Sequence, residues 1–416
     1  MQRPSGLHLP SMLVFVIFGL VFAFLATAAL GLLVVGSVMA IAGRLTTENA
    51  LPLFMFGWMA VLLSLLLLPS VTLSLLRLID GQSRLCGTSG RIFRLPRPLL
   101  LASLLMVLWP LLVWLTGQLA QNIGTTAWFS GLIFPPLQIL AILMPLWWYI
   151  EIGRRKLSTS SPQRTWSILG VSLVITPLFI IIAEILLIGG LVVVWAMWMV
   201  NQPGLSQDLN RLANRLMITQ PNPEAVLRAI RPFLQSPLVI YGILALTSGL
   251  VPILEELLKP LALWTLPHKL TPALGFDAGI LSGAGFALVE SLGQLSTPVG
   301  ESWAALIVGR AGTGLLHIVT CGLVGWGLAC AWRERAYLKL AGAFIAAAGL
   351  HGIWNIFGLL MGLGSVLNLG KMDVLPPVFS QLGSAAPVAL GVLTVILLAI
   401  LFTMNMHLRM SKMADV

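Results

Sequence analysis

The chain has 416 residues, of which 58% are hydrophobic and only 9% are charged, and its formal net charge is +10. Soluble domains carry about 25% charged residues, so this composition excludes an ordinary soluble globular protein. A chain that spans a membrane collects lysine and arginine in its cytoplasmic loops, so the positive balance reports topology and requires no nucleic-acid partner.

Ten apolar stretches recur from one end of the sequence to the other, each at least as long as the ~20 residues that cross a bilayer as a helix. Backbone groups in lipid must be satisfied within the segment, so long runs without alternation predict helices rather than barrel strands. The predicted fold class is an all-α polytopic membrane protein, a bundle of about ten transmembrane helices. The predicted spans are 11–42, 52–78, 98–119, 127–150, 166–200, 238–266, 273–296, 302–332, 338–364 and 380–406.

The first stretch contains Ala26-Thr27-Ala28, which resembles a signal-peptide cleavage site. The apolar run continues to Ala42, however, and this favours an uncleaved spanning helix. If the N-terminus is cytoplasmic, ten crossings place most of the loop lysines and arginines on the cytoplasmic side, which predicts that both termini are cytoplasmic. These residues are Arg84, Arg91, Arg94, Arg97, Arg154, Arg155, Lys156, Arg164, Lys269, Arg333, Arg335, Lys339, Arg409 and Lys412.

The longest polar interval runs from about 201 to 237. This interval contains leucines at helical spacing and the sequence Asn222-Pro223-Glu224, which is typical of a helix start. We therefore predict two short amphipathic helices on the outer membrane surface. An ordinary solvated connector is the alternative interpretation.

The sixth stretch holds three charged residues inside an apolar run, in the sequence VPILEELLKP. Each charge at the bilayer centre costs roughly 2.5–3.5 kcal/mol on insertion scales, so a cluster needs a reason. Lys259 follows Glu255 by four residues and Glu256 by three, so one ammonium can reach either carboxylate on a helix. Pro252 and Pro260 flank the cluster and loosen the helix around it.

Three later stretches carry matching polar residues. Glu290 shares a helix face with Phe286, beside a stripe of small residues that permits close helix approach, and Arg310 lies seven residues before His317. His351 and Asn355 form another i, i+4 pair. Ionisable residues inside membrane helices indicate function by default, and together these form one candidate site. The candidate catalytic residues are Glu255, Glu256, Lys259, Glu290, His317, His351 and Asn355, while Arg310 is assigned to charge balance.

Two hydrolytic mechanisms suit this set. Two histidines and a carboxylate can hold zinc with a water position open, and the candidate ligands are then Glu290, His317 and His351. Alternatively, Glu255 is the general base, Glu256 and Lys259 organise it, and the histidines and Asn355 polarise the scissile carbonyl. We favour the metal-independent mechanism, because asparagine is a poor zinc ligand but a good oxyanion donor.

The order and spacing of these motifs resemble the PrsW-type intramembrane proteases, which are distantly related to the CAAX prenyl proteases. The resemblance covers about residues 238–365 and reaches back to 166 at most. It implies an intramembrane endopeptidase of a bacterial cytoplasmic membrane that cuts a membrane-anchored protein such as an anti-sigma factor. It also divides the chain into N-terminal transmembrane helices of unknown role, 1–165, and a protease domain, 166–416.

Two other functions compete with this interpretation. The same carboxylates and histidines could serve as the relay of a proton-coupled transporter, to which Glu184 in the fifth stretch would add another buried carboxylate. The absence of a convincing inverted repeat argues against transport. An inactive scaffold that retains the motifs is the third possibility.

Overall fold

The computed structural model describes residues 9–45, 47–80, 98–121, 127–200, 207, 210, 214, 237–267, 269–295, 303–369 and 377–414. Within these ranges all regular secondary structure is helical, and ten helices are long and apolar enough to cross a membrane. The predicted fold class and the number of spans are therefore confirmed.

The first five spanning helices follow the predicted stretches closely. The second helix begins five residues earlier than predicted. The fifth begins four residues earlier, because Ser161 precedes Pro162, a favourable first helical residue. Their bounds are α1 Leu9–Ile41, α2 Thr47–Asp80, α3 Pro98–Gln121, α4 Ala127–Gly153 and α5 Pro162–Val200.

The remaining elements carry the candidate site residues. The sixth predicted span is a composite of helix α6, a π-helical turn and helix α7, and the other spans are single helices. Their bounds are α6 Pro237–Ala245, the π-turn Leu246–Leu250, α7 Val251–Leu258, the short α8 Leu261–Trp264, α9 Pro272–Gln294, α10 Trp303–Glu334, α11 Tyr337–Leu369 and α12 Pro377–Ala414.

The chain forms two compact units. The first unit comprises Met1–Pro177, Lys259–Phe344 and Leu397–Val416, and the second comprises Leu178–Leu258 and Ile345–Ile396. Helices α5, α11 and α12 each continue from one unit into the other.

The centre of the first unit is the pair of helices α9 and α10, which are the most buried of the spans. Glycines on α9 allow the two backbones to touch: a Cβ added to Gly279 would meet the backbone of Cys321 and Gly322, and one added to Gly283 would meet that of His317. The predicted small-residue stripe is therefore confirmed as the α9–α10 contact. Thr271 caps the start of α9 by accepting a hydrogen bond from the Leu274 N–H.

The second unit contains the composite sixth span. Ile240, Leu360 and Phe379 form its buried apolar core. The π-turn arises where Val251 N–H donates to the Leu246 carbonyl, five residues back. The next bond in this register would need an N–H from residue 252, which is a proline and has none, so the π-turn ends there.

The prediction of one helix as far as residue 266 is wrong beyond Leu258. Proline at 260 has no N–H for the carbonyl of Glu256, and its ring crowds that carbonyl, so the helix stops and the chain turns at Lys259 and Pro260. The chain resumes as the short helix α8.

Two groups of predictions fall outside the described residues. The amphipathic helices expected between 201 and 237 lie there, except for positions 207, 210 and 214, and so do the loop arginines at 84, 91, 94 and 97.

Candidate active site

Lys259, His317 and Glu290 form a chain of contacts inside the first unit. The Lys259 Nζ lies 2.9 Å from the His317 Nδ1, and the His317 Nε2 lies 2.7 Å from the Glu290 Oε2. Lys259 and His317 are almost fully buried. An ammonium can only donate, so His317 accepts at Nδ1, carries its proton on Nε2 and donates to the carboxylate.

Arg310 holds the same carboxylate from the other side. Its Nη2 donates to the Glu290 Oε2 at 2.7 Å, its Nη1 to Oε1 at 3.4 Å, and its Nε to the Ser291 hydroxyl at 3.1 Å. The seven-residue spacing of Arg310 and His317 thus brings both onto Glu290, and the charge-balancing role expected for Arg310 fits this contact.

Phe286 completes the walls of this cluster. Its ring meets the His317 ring edge-on, with centroids 5.1 Å apart, and the Lys259 Nζ lies 4.8 Å from the centre of the Phe286 ring. Phe286 and Glu290 therefore do share a face of α9, as their spacing predicts. An aromatic face stabilises a buried ammonium that water does not reach.

Two polar links in the first unit were not anticipated from the sequence. Ser282 donates to the Lys259 carbonyl at 2.6 Å and lies 2.9 Å from the Ser172 hydroxyl on α5. The fully buried Asp277 on α9 pairs with Arg154, which follows α4. The available signal was a single aspartate in the otherwise apolar first half of α9.

His351 and two glutamates form a second cluster, inside the second unit. The His351 Nδ1 lies 2.9 Å from the Glu256 Oε1, and its Nε2 lies 3.9 Å from the Glu255 Oε2. Because an ionised carboxylate only accepts, Nδ1 of His351 carries the proton and donates it in a hydrogen bond to Glu256, which leaves Nε2 as the acceptor nitrogen. The 3.9 Å separation is too long for a direct hydrogen bond and suits a bridging water.

Asn355 lies one turn after His351 and contacts the π-turn. Its Nδ2 donates at 2.9 Å to the carbonyl of Thr247, which is the carbonyl that Pro252 leaves without a π-type donor. The backbone of Gly352 also lies against the Ser248 carbonyl, where a Cβ would not fit. The π-turn and these contacts to it were not predicted, although the i, i+4 pairing of His351 and Asn355 is compatible with them.

The seven sequence-predicted site residues thus fall into two groups within the described chain. Lys259, Glu290 and His317 contact one another in the first unit. Glu255, Glu256 and His351 do so in the second, where Asn355 contacts the π-turn.

The donor types needed by a divalent metal are present. Each histidine has a carboxylate on one ring nitrogen, as metal-binding histidines commonly do. Glu290 occupies that outer position beside His317, which is the position of a partner to a ligand rather than that of the metal ligand that the sequence suggested. One observation opposes binding: the other nitrogen of His317 faces the buried Lys259 ammonium, which must move before a metal can bind.

A family model described as "PrsW family intramembrane metalloprotease" matches residues 179–382, about half of the chain. The matched range includes every one of the seven candidate residues and both clusters. The chain belongs to the PrsW family of intramembrane proteases. It is therefore a hydrolase, and the PrsW match decides against the transporter interpretation. No curated protein and no solved structure matches the chain.

The PrsW assignment agrees with the ten spanning helices, which make the chain an integral membrane protein whose substrate is a membrane protein. The metal in the family's description is consistent with the Glu/His/His donors of this chain. The PrsW match begins within α5, so α1 to α4 precede it.

Proposed function

We propose that this PrsW protease cuts a single-pass, membrane-anchored protein of the anti-sigma-factor class, with the seven candidate residues as its catalytic machinery. The observation that carries the proposal is the pairing of His351 Nε2 with the Glu255 carboxylate at 3.9 Å in a buried position. Such a pair can hold and deprotonate one water inside a membrane-spanning segment.

The attacking water bonds to both members of this pair. With Glu256 fixing the Nδ1 proton of His351, Nε2 and the Glu255 carboxylate are both acceptors, so they receive the two hydrogens of the water. The oxygen lone pairs then point away from the pair and toward the substrate. Fixing the nucleophile in this way replaces a random encounter with a positioned attack.

Hydrolysis follows with Glu255 as the general base. Glu255 takes one proton as the water oxygen bonds to the scissile carbonyl carbon, and the carbonyl oxygen becomes negatively charged. Glu255 then gives that proton to the peptide nitrogen as the C–N bond breaks. The immediate products are a carboxylic acid and an amine, with Glu255 ionised again, and the acid then loses its remaining proton to the amine to give a carboxylate end and an ammonium end.

Lys259 supplies the positive charge for the developing oxyanion. It is fully buried, and a charge held in a dry site acts more strongly than one in water. His317 and Glu290 hold its position, and Arg310 holds Glu290 in turn. Asn355 keeps the π-turn in place beside His351 and adds an amide donor at this end of the site.

A divalent metal would polarise the scissile carbonyl and acidify a bound water, and the candidate residues include the histidine and carboxylate donors that it takes. The fit is poor at His317, because its two nitrogens already face the Lys259 ammonium and the Glu290 carboxylate. Only two donors then remain, whereas catalytic zinc takes three from the protein. We therefore propose Glu255 as base rather than as ligand, and no metal in the reaction.

We also propose the placement of the chain in its membrane. The lysine and arginine bias supports a bacterial cytoplasmic membrane with both termini in the cytoplasm. Residues 166–416 form the protease domain in this proposal, and residues 1–165 are N-terminal transmembrane helices of unknown role.

The test uses the purified full chain in liposomes with a tagged anti-sigma factor. We expect cleavage that persists in a strong zinc chelator, purified protein with little bound zinc, and loss of cleavage in His351→Ala. The metal-free mechanism would be overturned if the chelator abolished cleavage, added zinc restored it, and both His317 and His351 were needed for the protein to bind metal. Cleavage of other membrane-anchored proteins but of no anti-sigma factor would overturn the substrate class alone.

A further inference from the structure

The first unit also contains a cavity outside the Lys259–His317–Glu290 cluster. It has a volume of about 360 Å³ and lies where α1 and α5 begin, α2 ends and α8 leads into α9. Ligand sites commonly have volumes of about 300–1,000 Å³, so the cavity can take a small group. None of the seven candidate site residues lines it.

Three cationic side chains line the cavity: Arg77 from α2, Arg164 from α5 and Lys269 from the turn before α9. No carboxylate is among the lining residues, and among the described side chains no ion pair involves any of these three cations. Three cations from three separate segments around one cavity form a site for an anion.

Neutral partners orient the cationic wall. Arg77 Nη1 donates to the Gln163 Oε1 at 2.7 Å, and Gln163 Nε2 donates to the Ser11 hydroxyl at 3.1 Å. The arginine is thus held in place by neutral groups, and within the described side chains no carboxylate pairs with it. Ser161 and Ser167 add hydroxyl groups to the lining, and the start of α5 adds the partial positive charge of a helix N-terminus.

The rest of the wall is apolar. Val14, Ile168, Val171 and Leu266 line the cavity beside the polar groups. A cavity at the ends of spanning helices, cationic on one side and apolar on the other, matches a phospholipid at the membrane surface, whose phosphate lies next to its acyl chains. An acidic peptide would need no such apolar wall.

We propose that this cavity binds the phosphate group of an anionic phospholipid, with Arg77, Arg164 and Lys269 contacting the phosphate and Val14, Ile168 and Val171 contacting the first part of an acyl chain. A soluble phosphate ester offers the same charge without the chain, and the two sources differ in their dependence on Val171.

The experiment measures lipid retained by the purified full chain after it is washed in detergent with phosphatidylglycerol or phosphatidylcholine. We expect selective retention of phosphatidylglycerol. Changing Arg77, Arg164 and Lys269 together to Gln is expected to weaken it about 100-fold, because each cation near an anionic lipid contributes roughly fivefold. Arg77→Lys and Arg164→Lys keep the charge and are expected to retain the lipid.

Arg333→Gln is the matched control. Arg333 is an exposed cation at the end of α10 and does not line the cavity, and the antiparallel contact of Gly275 with Gly325 puts that end near the start of α9. This variant changes the net charge near the same end of the unit and is expected to bind lipid as the wild type does.

Val171→Trp fills the apolar side and leaves every cation in place. It is expected to abolish retention of phosphatidylglycerol and to leave binding of inorganic phosphate unchanged, which identifies the ligand as a lipid. If millimolar inorganic phosphate displaces the bound ligand and Val171→Trp leaves binding unchanged, the phosphate site is supported but its ligand is a soluble phosphate ester rather than a lipid. Equal retention of the two lipids, or unchanged binding in the triple Gln variant, would overturn the proposal.

Discussion

Replacing Glu255 by Gln tests the proposed base directly. Glutamine keeps the size of the side chain but cannot take a proton from water, and its amide nitrogen donates where a carboxylate oxygen accepts. General-base catalysis contributes about 10²–10⁴ in rate, or about 2.7–5.4 kcal/mol at 1.36 kcal/mol per tenfold. We expect cleavage to fall by that factor. The fold should persist, because glutamine has nearly the same volume as glutamate and introduces no charge.

The assay is the rate of cleavage of the tagged substrate in liposomes, with the thermal midpoint measured in parallel. Glu334→Gln is the matched control, since Glu334 is an exposed glutamate whose partner is Lys339, and it should leave the rate unchanged. Glu255→Asp retains the base but withdraws it by one methylene, so an intermediate loss is expected. A Gln variant that keeps more than about a tenth of the wild-type rate would refute the assignment of Glu255 as base.

Two further substitutions test the packing of the first unit. Gly283→Ala would press a Cβ against the His317 backbone. We expect this variant to be destabilised by about 1–3 kcal/mol, with a lower thermal midpoint and slower cleavage. The control is Gly293→Ala on the same helix, which should be tolerated because its Cβ would meet open space. Lys259→Met removes the buried donor to His317, and we expect it to lower the free energy of unfolding by about 3–5 kcal/mol and to remove most of the activity. Its control is Lys339→Met at an exposed ion pair, where the expected loss is about 0–1 kcal/mol. Equal effects within either pair of variants would contradict the geometry.

The spans were predictable because hydropathy and helix length are properties of a local window. The glycine stripe on α9 was predictable for a related reason: positions four residues apart must share a helix face, as Gly279 and Gly283 do. Intramembrane charge then marked the candidate residues, because lipid tolerates few such groups without partners. All of these signals lie within a single helix.

Pairing between helices does not follow from such signals. The sequence placed Arg310 and His317 on one face, but the convergence of both on Glu290 depends on the register of α9 against α10. Asp277 and Arg154 are 123 residues apart, and nothing local connects them. The π-turn was hidden for another reason, because Pro252 is compatible with a kink, a π-turn or a helix start, and contacts with the Asn355 helix decide among these.

The charges of the proposed site show why a membrane helix can hold them. In the second unit Glu255 and Glu256 bring two negative charges to His351, and in the first unit Lys259 and Arg310 bring two positive charges to His317 and Glu290. Charge inside a membrane helix is costly, so the two carboxylates beside His351 indicate a function. In the proposed mechanism Glu255 takes a proton from water, which lowers the negative charge of this cluster while the opposite charge develops on the substrate. The side chains therefore approach their least costly state as the transition state forms, which is how a preorganised site lowers a barrier.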